Sequence, residues 1–272
     1  GGDYFGRFFV MDERSFIAGG TLFENSTGAV WIYDRNGSEL ELAQVLQPEA
    51  LAEGDSFGRF GALYGDLLFV SALGHEQIGA VWVFERNDAG EFVERALLQP
   101  DDAVEEEFFG WTLAFNGERL IVGSFAGEPG TGAAYVYLRD GDDWEEEARL
   151  ALSEDEAVPA DVGVPGAPGA GAIAVGWFEG RALLGLPGRD TAEGAVFTFE
   201  RQDVTDDWVR GTTLSAFDRR PGAFFGHAFY ETDGELWISA PGTGFGGGIY
   251  RFAYNPGTRS FEGATKVVNT IE

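Results

Sequence analysis

Apolar residues along this chain follow two rhythms, and neither is helical. Short runs that are apolar on both faces ("LLFVSA", "RLIVGS", "ALLGLP", "LWISAP") alternate with stretches in which aromatics recur at every second residue ("AVWVFER", "AAYVYLR"). Continuous runs of this length read as strands buried on both faces, and alternation reads as strands with two unlike faces. In Asp55–Arg86 the two kinds follow each other. Arg59–Tyr64 and Leu67–Ala72 are split by Gly65-Asp66, a tight hairpin signal, and Ala80–Arg86 comes next. Asn87-Asp88-Ala89-Gly90 then turns the chain into a fourth strand, Glu91–Leu98.

This unit recurs. Phe-Gly stands at Phe5-Gly6, Phe57-Gly58, Phe109-Gly110 and Phe225-Gly226, with a degenerate copy at Ala170-Gly171 and spacings of 52 to 61 residues. A second marker keeps step with it: "GAVWIYDR" (Gly28–Arg35), "GAVWVFER" (Gly79–Arg86), "GAAYVYLR" (Gly132–Arg139), "GAVFTFER" (Gly194–Arg201) and "GGIYRFAY" (Gly247–Tyr254). Five units of four strands each are expected, over roughly 1–52, 53–104, 105–165, 166–222 and 223–272. Strands apolar on both faces need cover on both faces, and no helical period supplies it. The cover must be further copies of the same sheet. The fold class expected is therefore all-β: a single β-propeller of five four-stranded antiparallel blades. Pairs such as Trp82 with Phe84, and Tyr135 with Tyr137, should fill the gaps between neighbouring blades. "VPADVGVPGAPGAG" (Val158–Gly171) reads as a Pro/Gly/Ala insertion looping over one face.

Phe-Gly, an apolar strand ending in small residues or Pro ("SAPG", Ser239–Gly242; "GLPG", Gly185–Gly188), then Gly-Ala-Val-aromatic: this order resembles the FG-GAP repeat of integrin α-chain propellers and bacterial surface proteins. The resemblance spans essentially the whole chain. It implies a propeller used for adhesion or binding outside the cell. Integrin-type repeats often carry an Asp-rich calcium loop between strands one and two. Here that place holds only "MDER", "YGD", "NGER", "FEGR" and "TDGE". One carboxylate in a short turn cannot supply the six to eight oxygens that Ca²⁺ takes. The resemblance is thus to the bacterial form without calcium loops, and no cofactor is expected.

Charge narrows the partners. The net charge is -28 over 272 residues, and Lys266 is the one lysine. Such a surface repels nucleic acid and anionic membranes. Its plain use is solubility, and its sharper use is a cation-binding face. With no cysteine there are no disulfides, thiolate metal sites or Cys nucleophiles. No apolar run reaches a membrane span. The opening Gly-Gly-Asp shows no signal peptide, as expected of a mature or trimmed form.

Candidate chemistry falls in four places. Asp12, Asp66, Glu118, Glu179 and Asp233 each stand in the turn after a first strand, where a propeller would gather them round its axis. That ring could take an adventitious cation, or the groups could be ordinary solvated turn residues. The loops between strands two and three (Gly19–Thr27, Leu73–Ile78, Phe125–Thr131, Pro187–Glu193, Gly242–Gly246) vary while the strands do not, which suits a recognition face. His75, Glu128, Arg189, Asp190 and Phe245 are its candidate contacts. Arg7, Arg59, Trp111, Ala172 and His227 follow the five Phe-Gly positions. The arginines and the histidine suit an anion, and their commoner use would be to hold nearby carboxylates or carbonyls. Asn25 and Asn36 begin glycosylation sequons, relevant only to a secreted protein from a glycosylating cell. "GTGFGG" (Gly242–Gly247) has dinucleotide-loop spacing but no helix after it, so it is set aside.

Nucleophilic catalysis finds no elbow motif and only two histidines. The function expected is a non-catalytic extracellular or cell-surface module binding a protein or glycan. A structural subunit of a surface assembly or filament, with self-association, is the alternative. A carbohydrate-active hydrolase is the second alternative, weakened by first strands that carry no acids in their middles.

Overall fold

The computed structural model describes residues 4–102, 105, 107–125, 133–151, 173–202, 205, 207–242 and 247–267. It is all-β, with five four-stranded antiparallel sheets. The first sheet holds β1 (Phe5–Met11), β2 (Ser15–Gly20), β3 (Ala29–Asn36) and β4 (Glu39–Leu46). The second holds β5 (Phe57–Tyr64), β6 (Leu67–Ala72), β7 (Ala80–Arg86) and β8 (Phe92–Leu98). The third holds β9 (Thr112–Phe115), β10 (Arg119–Ser124), β11 (Ala133–Asp140) and β12 (Asp143–Ala151). The fourth holds β13 (Ala174–Phe178), β14 (Arg181–Leu186), β15 (Ala195–Arg201) and β16 (Trp208–Leu214). The fifth holds β17 (Phe229–Thr232), β18 (Glu235–Ala240), β19 (Gly248–Asn255) and β20 (Ser260–Val267). Within each sheet the strands lie in chain order. This is the blade of a β-propeller.

Two compact units emerge, Gly1–Ser124 with Tyr137–Glu146, and Phe125–Val136 with Glu147–Glu272. In the first unit β1 lies beside β5 and β5 beside β9; in the second β13 lies beside β17. First strands are thus the inner ones. Hairpins set the register. Tyr64 pairs with Leu67 across Gly65-Asp66, and Gly65 has a φ of 58°.

Each core lies between sheets, as the two-faced strands require. In the first unit Ile17, Val30, Ile32 and Leu46 of the first sheet meet Phe57, Leu68, Trp82 and Phe84 of the second. In the second unit Leu183, Val196 and Leu214 meet Phe225, Leu236, Tyr250 and Phe252. Burying one such side chain stabilises by about 1.5–3 kcal/mol. Trp82 and Phe84 do fill the gap between the first two blades.

The two sequence markers are one joint. Phe57 lies edge-on to Trp82 (5.5 Å) and Phe84 (6.2 Å) of its own sheet. Its backbone meanwhile sits on the preceding sheet, in a parallel bridge with Gly28. A Cβ on Gly28 would lie 2.1 Å from the Phe57 carbonyl oxygen, and φ there is 87°. Gly79 and Gly194 stand in the same way against Phe109 and Phe225. Only glycine tolerates both the approach and the dihedral.

One detail differs from the sequence reading. The first strand begins at Phe57 rather than Arg59, because the Phe-Gly pair itself bridges Ala72 of β6. The loops between strands two and three wind into tight turns at Phe23–Ser26, His75–Gln77 and Arg189–Ala192, with positive φ at Glu24, Asn25, Glu76 and Asp190. The Val158–Gly171 insertion and the degenerate marker at Ala170-Gly171 lie outside the described residues.

Candidate functional site

In the first unit the loops after β2 and β6 and the starts of β1, β5 and β9 surround a cavity of about 550 Å³. Its wall includes Arg7, Arg59, Trp111, Tyr4, Thr21 and Ser56. Three of the five residues at this repeat position, Arg7, Arg59 and Trp111, therefore line one cavity. The repeat puts them there, because each occupies the same place at the mouth of its own blade.

Arg59 is half-buried, and its guanidinium lies 5.4 Å from the Phe60 ring and 5.7 Å from the Trp111 ring. Its Nε is buried without a hydrogen-bond partner. Burial pulls the Arg59 pKa down, and the Arg7 charge pulls it further. Two guanidiniums thus repel each other in a protein of charge -28. The ordinary use expected for these arginines, holding a neighbouring carboxylate, is not what the structure gives. Among the described residues neither forms an ion pair. A buried donor left unpaired costs about 1–3 kcal/mol. An anion placed here would satisfy that donor and relieve the repulsion.

The other candidates are placed as follows. His75 is buried, with Nδ1 2.7 Å from Asp55 Oδ2 and its ring 4.9 Å from Trp82. It braces the loop from within and does not face solvent. Arg189 pairs with Asp190 at 3.4 Å and lies 5.0 Å from the Phe197 ring. Glu128 and Phe245 lie outside the described residues, as does Ala172; His227 is exposed. Asn25 and Asn36 are both exposed, and Asn25 Nδ2 donates to Glu53 Oε1 at 2.8 Å.

Three of the five turn carboxylates at the other end of the blades have protein partners. Asp12 accepts from Arg86 Nη2 at 2.9 Å, and Asp66 pairs with Arg14. Arg86 is buried, lies 4.6 Å from the Phe92 ring and donates to Ser15 Oγ at 3.3 Å. Burial pushes the Asp12 pKa up, but backbone N–H groups of Ser15 and Arg14, with the Arg86 and Arg14 charges, bring it below the ordinary value. Glu118 is exposed and pairs with Arg119 at 2.7 Å; Glu179 and Asp233 are exposed with positive φ. Among the described residues no group of three or more acidic or histidine side chains is arranged to hold a metal ion. Sequence reasoning missed Arg14 and Arg86; for Arg86 the one visible signal is that arginine closes the third-strand marker in four of the five units.

In the second unit Lys266 pairs with Asp218 at 2.9 Å, and the Tyr250 hydroxyl donates to Asp218 Oδ1 at 2.6 Å. This trio is mutually satisfied and offers a ligand less than the arginine cavity does.

A family model for the FG-GAP repeat matches residues 92–137, which run from β8 into β11. That segment carries the FG-GAP repeat. No curated protein matches the chain in sequence. Solved structures share the fold of this chain. A Lactobacillus plantarum protein superposes with a TM-score of 0.59 at 10% identity, over 95% of this chain and 69% of its own. The periplasmic gluconolactonase PpgL of Pseudomonas aeruginosa gives 0.58 at 15%, over 96% and 70%. A candidate 6-phosphogluconolactonase of Bacteroides uniformis gives 0.55 at 16%, over 95% and 71%. Identities this low speak for the fold alone. Among the described residues no helix is long and apolar enough to cross a membrane.

Proposed function

We propose that this FG-GAP propeller is a non-catalytic binding module, working in the periplasm, at the cell surface or outside the cell, and that its ligand is an acidic glycan. The reading rests on one observation: among the described residues Arg7 and Arg59 share a cavity without a carboxylate partner, and the buried Arg59 Nε has no acceptor. Guanidiniums take carboxylate and phosphate oxygens in a planar, often bidentate fashion. Trp111 and Tyr4 add flat apolar surface to the same wall, and Thr21 and Ser56 add hydroxyl groups. A sugar carrying a carboxylate uses all three kinds of group. The described wall presents binding groups and no carboxylate or imidazole to act as a general base, which favours binding over hydrolysis.

Calorimetric titration with oligogalacturonate against neutral oligosaccharides of equal length tests this. Binding of the acidic series only, weakened about tenfold or more in Arg59→Gln, is expected, since a charge-assisted hydrogen bond contributes about 1.5–3 kcal/mol. Equal affinity for the neutral series, or no effect of the substitution, overturns it. The names of two fold neighbours favour a second reading, hydrolysis of a sugar lactone. Turnover of gluconolactone or its 6-phosphate, lost in Arg59→Gln, would put that reading in place of the first.

A further inference from the structure

A chain with 46 acidic and 18 basic residues leaves Arg7 and Arg59 without a carboxylate among its described residues, although acids stand beside the cavity wall. Glu53 precedes Gly54, Asp55 lies between Gly54 and Ser56, and Glu107 precedes Phe108; Gly54, Ser56 and Phe108 line the cavity. Among the described residues none of the three acids is in the wall. Each carboxylate is engaged elsewhere. Glu53 Oε1 accepts from Asn25 Nδ2 at 2.8 Å, and Glu107 Oε1 accepts from Ser124 Oγ at 3.1 Å. Asp55 Oδ2 lies 2.7 Å from His75 Nδ1 and accepts the Ala52 N–H at 3.0 Å. The Asp55 side chain is 6% exposed and that of His75 8%. All these residues belong to the first unit.

The repeat builds the same joint without this pair. In the first blade Phe23 stands where His75 does, edge-on to Trp31 at 5.3 Å, as His75 lies 4.9 Å from Trp82. In the fifth blade Ala223 stands where Asp55 does, two residues before the phenylalanine of Phe-Gly. Gly242 still donates to the Ala223 carbonyl at 3.0 Å, as Gly74 donates to that of Asp55 at 3.0 Å. A buried polar pair adds little stability over apolar residues of like volume, whereas removing one partner strands the other. The pair in the second blade therefore has a use beyond folding. We propose that His75 is a positioning residue of the arginine cavity: it holds the Asp55 carboxylate away from Arg59 and Arg7, and so keeps their guanidiniums open to an anion from solution. Asp55 is the acid best placed to close the site, since the residues on both sides of it line the cavity and Arg59 follows four residues later. The inference rests on the anion reading above and adds what keeps the protein from filling the site itself.

Removing the histidine and removing the aspartate break the same hydrogen bond, yet they should have unequal consequences. His75→Phe takes the ring that the first blade uses and frees Asp55. Asp55→Ala takes the residue that the fifth blade uses and removes the competing acid. The double variant does both. Modification of Arg59 by phenylglyoxal, followed by peptide mass spectrometry, reads its pairing without any ligand. The reagent attacks the neutral guanidine, which a carboxylate partner disfavours. The rate should fall by about fivefold or more in His75→Phe and stay within about twofold of wild type in Asp55→Ala and in the double variant. Affinity for oligogalacturonate by calorimetry should follow the same order, weaker by about tenfold in His75→Phe alone. Equal losses in His75→Phe and Asp55→Ala would make the pair a brace of the wall and overturn the proposal. A wild-type rate in His75→Phe overturns it, as does a double variant that restores nothing. If His75→Phe fails to fold while the double variant folds, the freed carboxylate was stranded and not taken up by Arg59, with the same consequence. Absence of oligogalacturonate binding in the wild type counts against the glycan reading alone, and the modification rates then decide this proposal by themselves.

Discussion

Phe57 donates its backbone N–H to the carbonyl oxygen of Thr27 at 2.9 Å, so the Phe-Gly pair of one blade is hydrogen-bonded to the residue just ahead of the Gly-Ala-Val step of the blade before it. Phe109 does the same with Ile78 at 2.8 Å, and Phe225 with Glu193 at 3.1 Å. The two features that recur most plainly in the sequence are therefore opposite sides of one contact. Alanine at Gly79 would meet the Phe109 carbonyl oxygen at 2.3 Å with φ at 99°. Gly79→Ala should destabilise by about 2–4 kcal/mol, combining dihedral strain with a backbone clash. Gly90→Ala has the same sign of φ but open space around it, and should lose only about 1–2 kcal/mol. Urea unfolding of the two variants separates the contributions.

The phenylalanines themselves should split by place. Phe57 is fully buried, and Phe57→Ala should lose about 3–5 kcal/mol. Phe5 makes the same ring contacts within its sheet but is half exposed. Phe5→Ala should cost about 1 kcal/mol or less in the 272-residue chain. Similar losses for both would mean that exposure does not govern the joint.

Much of the blade was legible because its strands are two-faced and its hairpins are glycine-marked. Leu67–Ala72 and Ala80–Arg86 fall where the apolar run and the alternation place them. The residue before each Phe-Gly was not legible. Tyr4, Ser56, Phe108 and Phe224 all have positive φ, yet nothing in their side chains announces it. That conformation is imposed by the joint; Ser56 and Phe224, for example, donate to the Ser26 and Ala192 carbonyls at 2.7 and 2.8 Å. The site was half legible. Residue position in the repeat brought Arg7, Arg59 and Trp111 together on paper, but whether an arginine is paired depends on distances between blades, which one sequence does not contain. His75 failed as a surface candidate for the same reason, since its partner Asp55 is twenty residues earlier, in the connection that leads into β5.

Two carboxylates should respond to pH in opposite senses. The folded-state pKa of Asp12 lies below its unfolded value near 3.8, so the stability it contributes is complete above that value and is lost as pH falls through the folded pKa. Asp12→Asn should therefore lower stability at pH 7 and flatten its fall in acid. Burial raises the pKa of Glu146, and Asp101 and Asp102 add to it against hydrogen bonds from the Asp101 N–H and the Tyr137 hydroxyl. Its ionisation opposes folding, so stability declines as pH rises from the unfolded value near 4.5 through the folded one. Glu146→Gln keeps an acceptor for both donors and should stabilise the protein at pH 7. Thermal melts of both variants from pH 3 to 8 check the signs.

The arginine cavity should also show itself without any glycan. Arg7 and Arg59 are like charges set close together, so Arg59→Gln removes a repulsion and an unsatisfied buried Nε along with whatever the guanidinium gains over Phe60 and Trp111. If the site is kept for an anion, the wild type should gain thermal stability from a multivalent carboxylate such as citrate beyond what equal ionic strength of sodium chloride gives, by mass action on the folded state. Screening of the overall -28 charge should raise the melting temperature in both salts alike. The excess with citrate should vanish in Arg7→Gln/Arg59→Gln, while the common rise remains. An excess that survives the double substitution would place the anion elsewhere, and no excess in the wild type would leave the two arginines repelling each other for no gain in recognition.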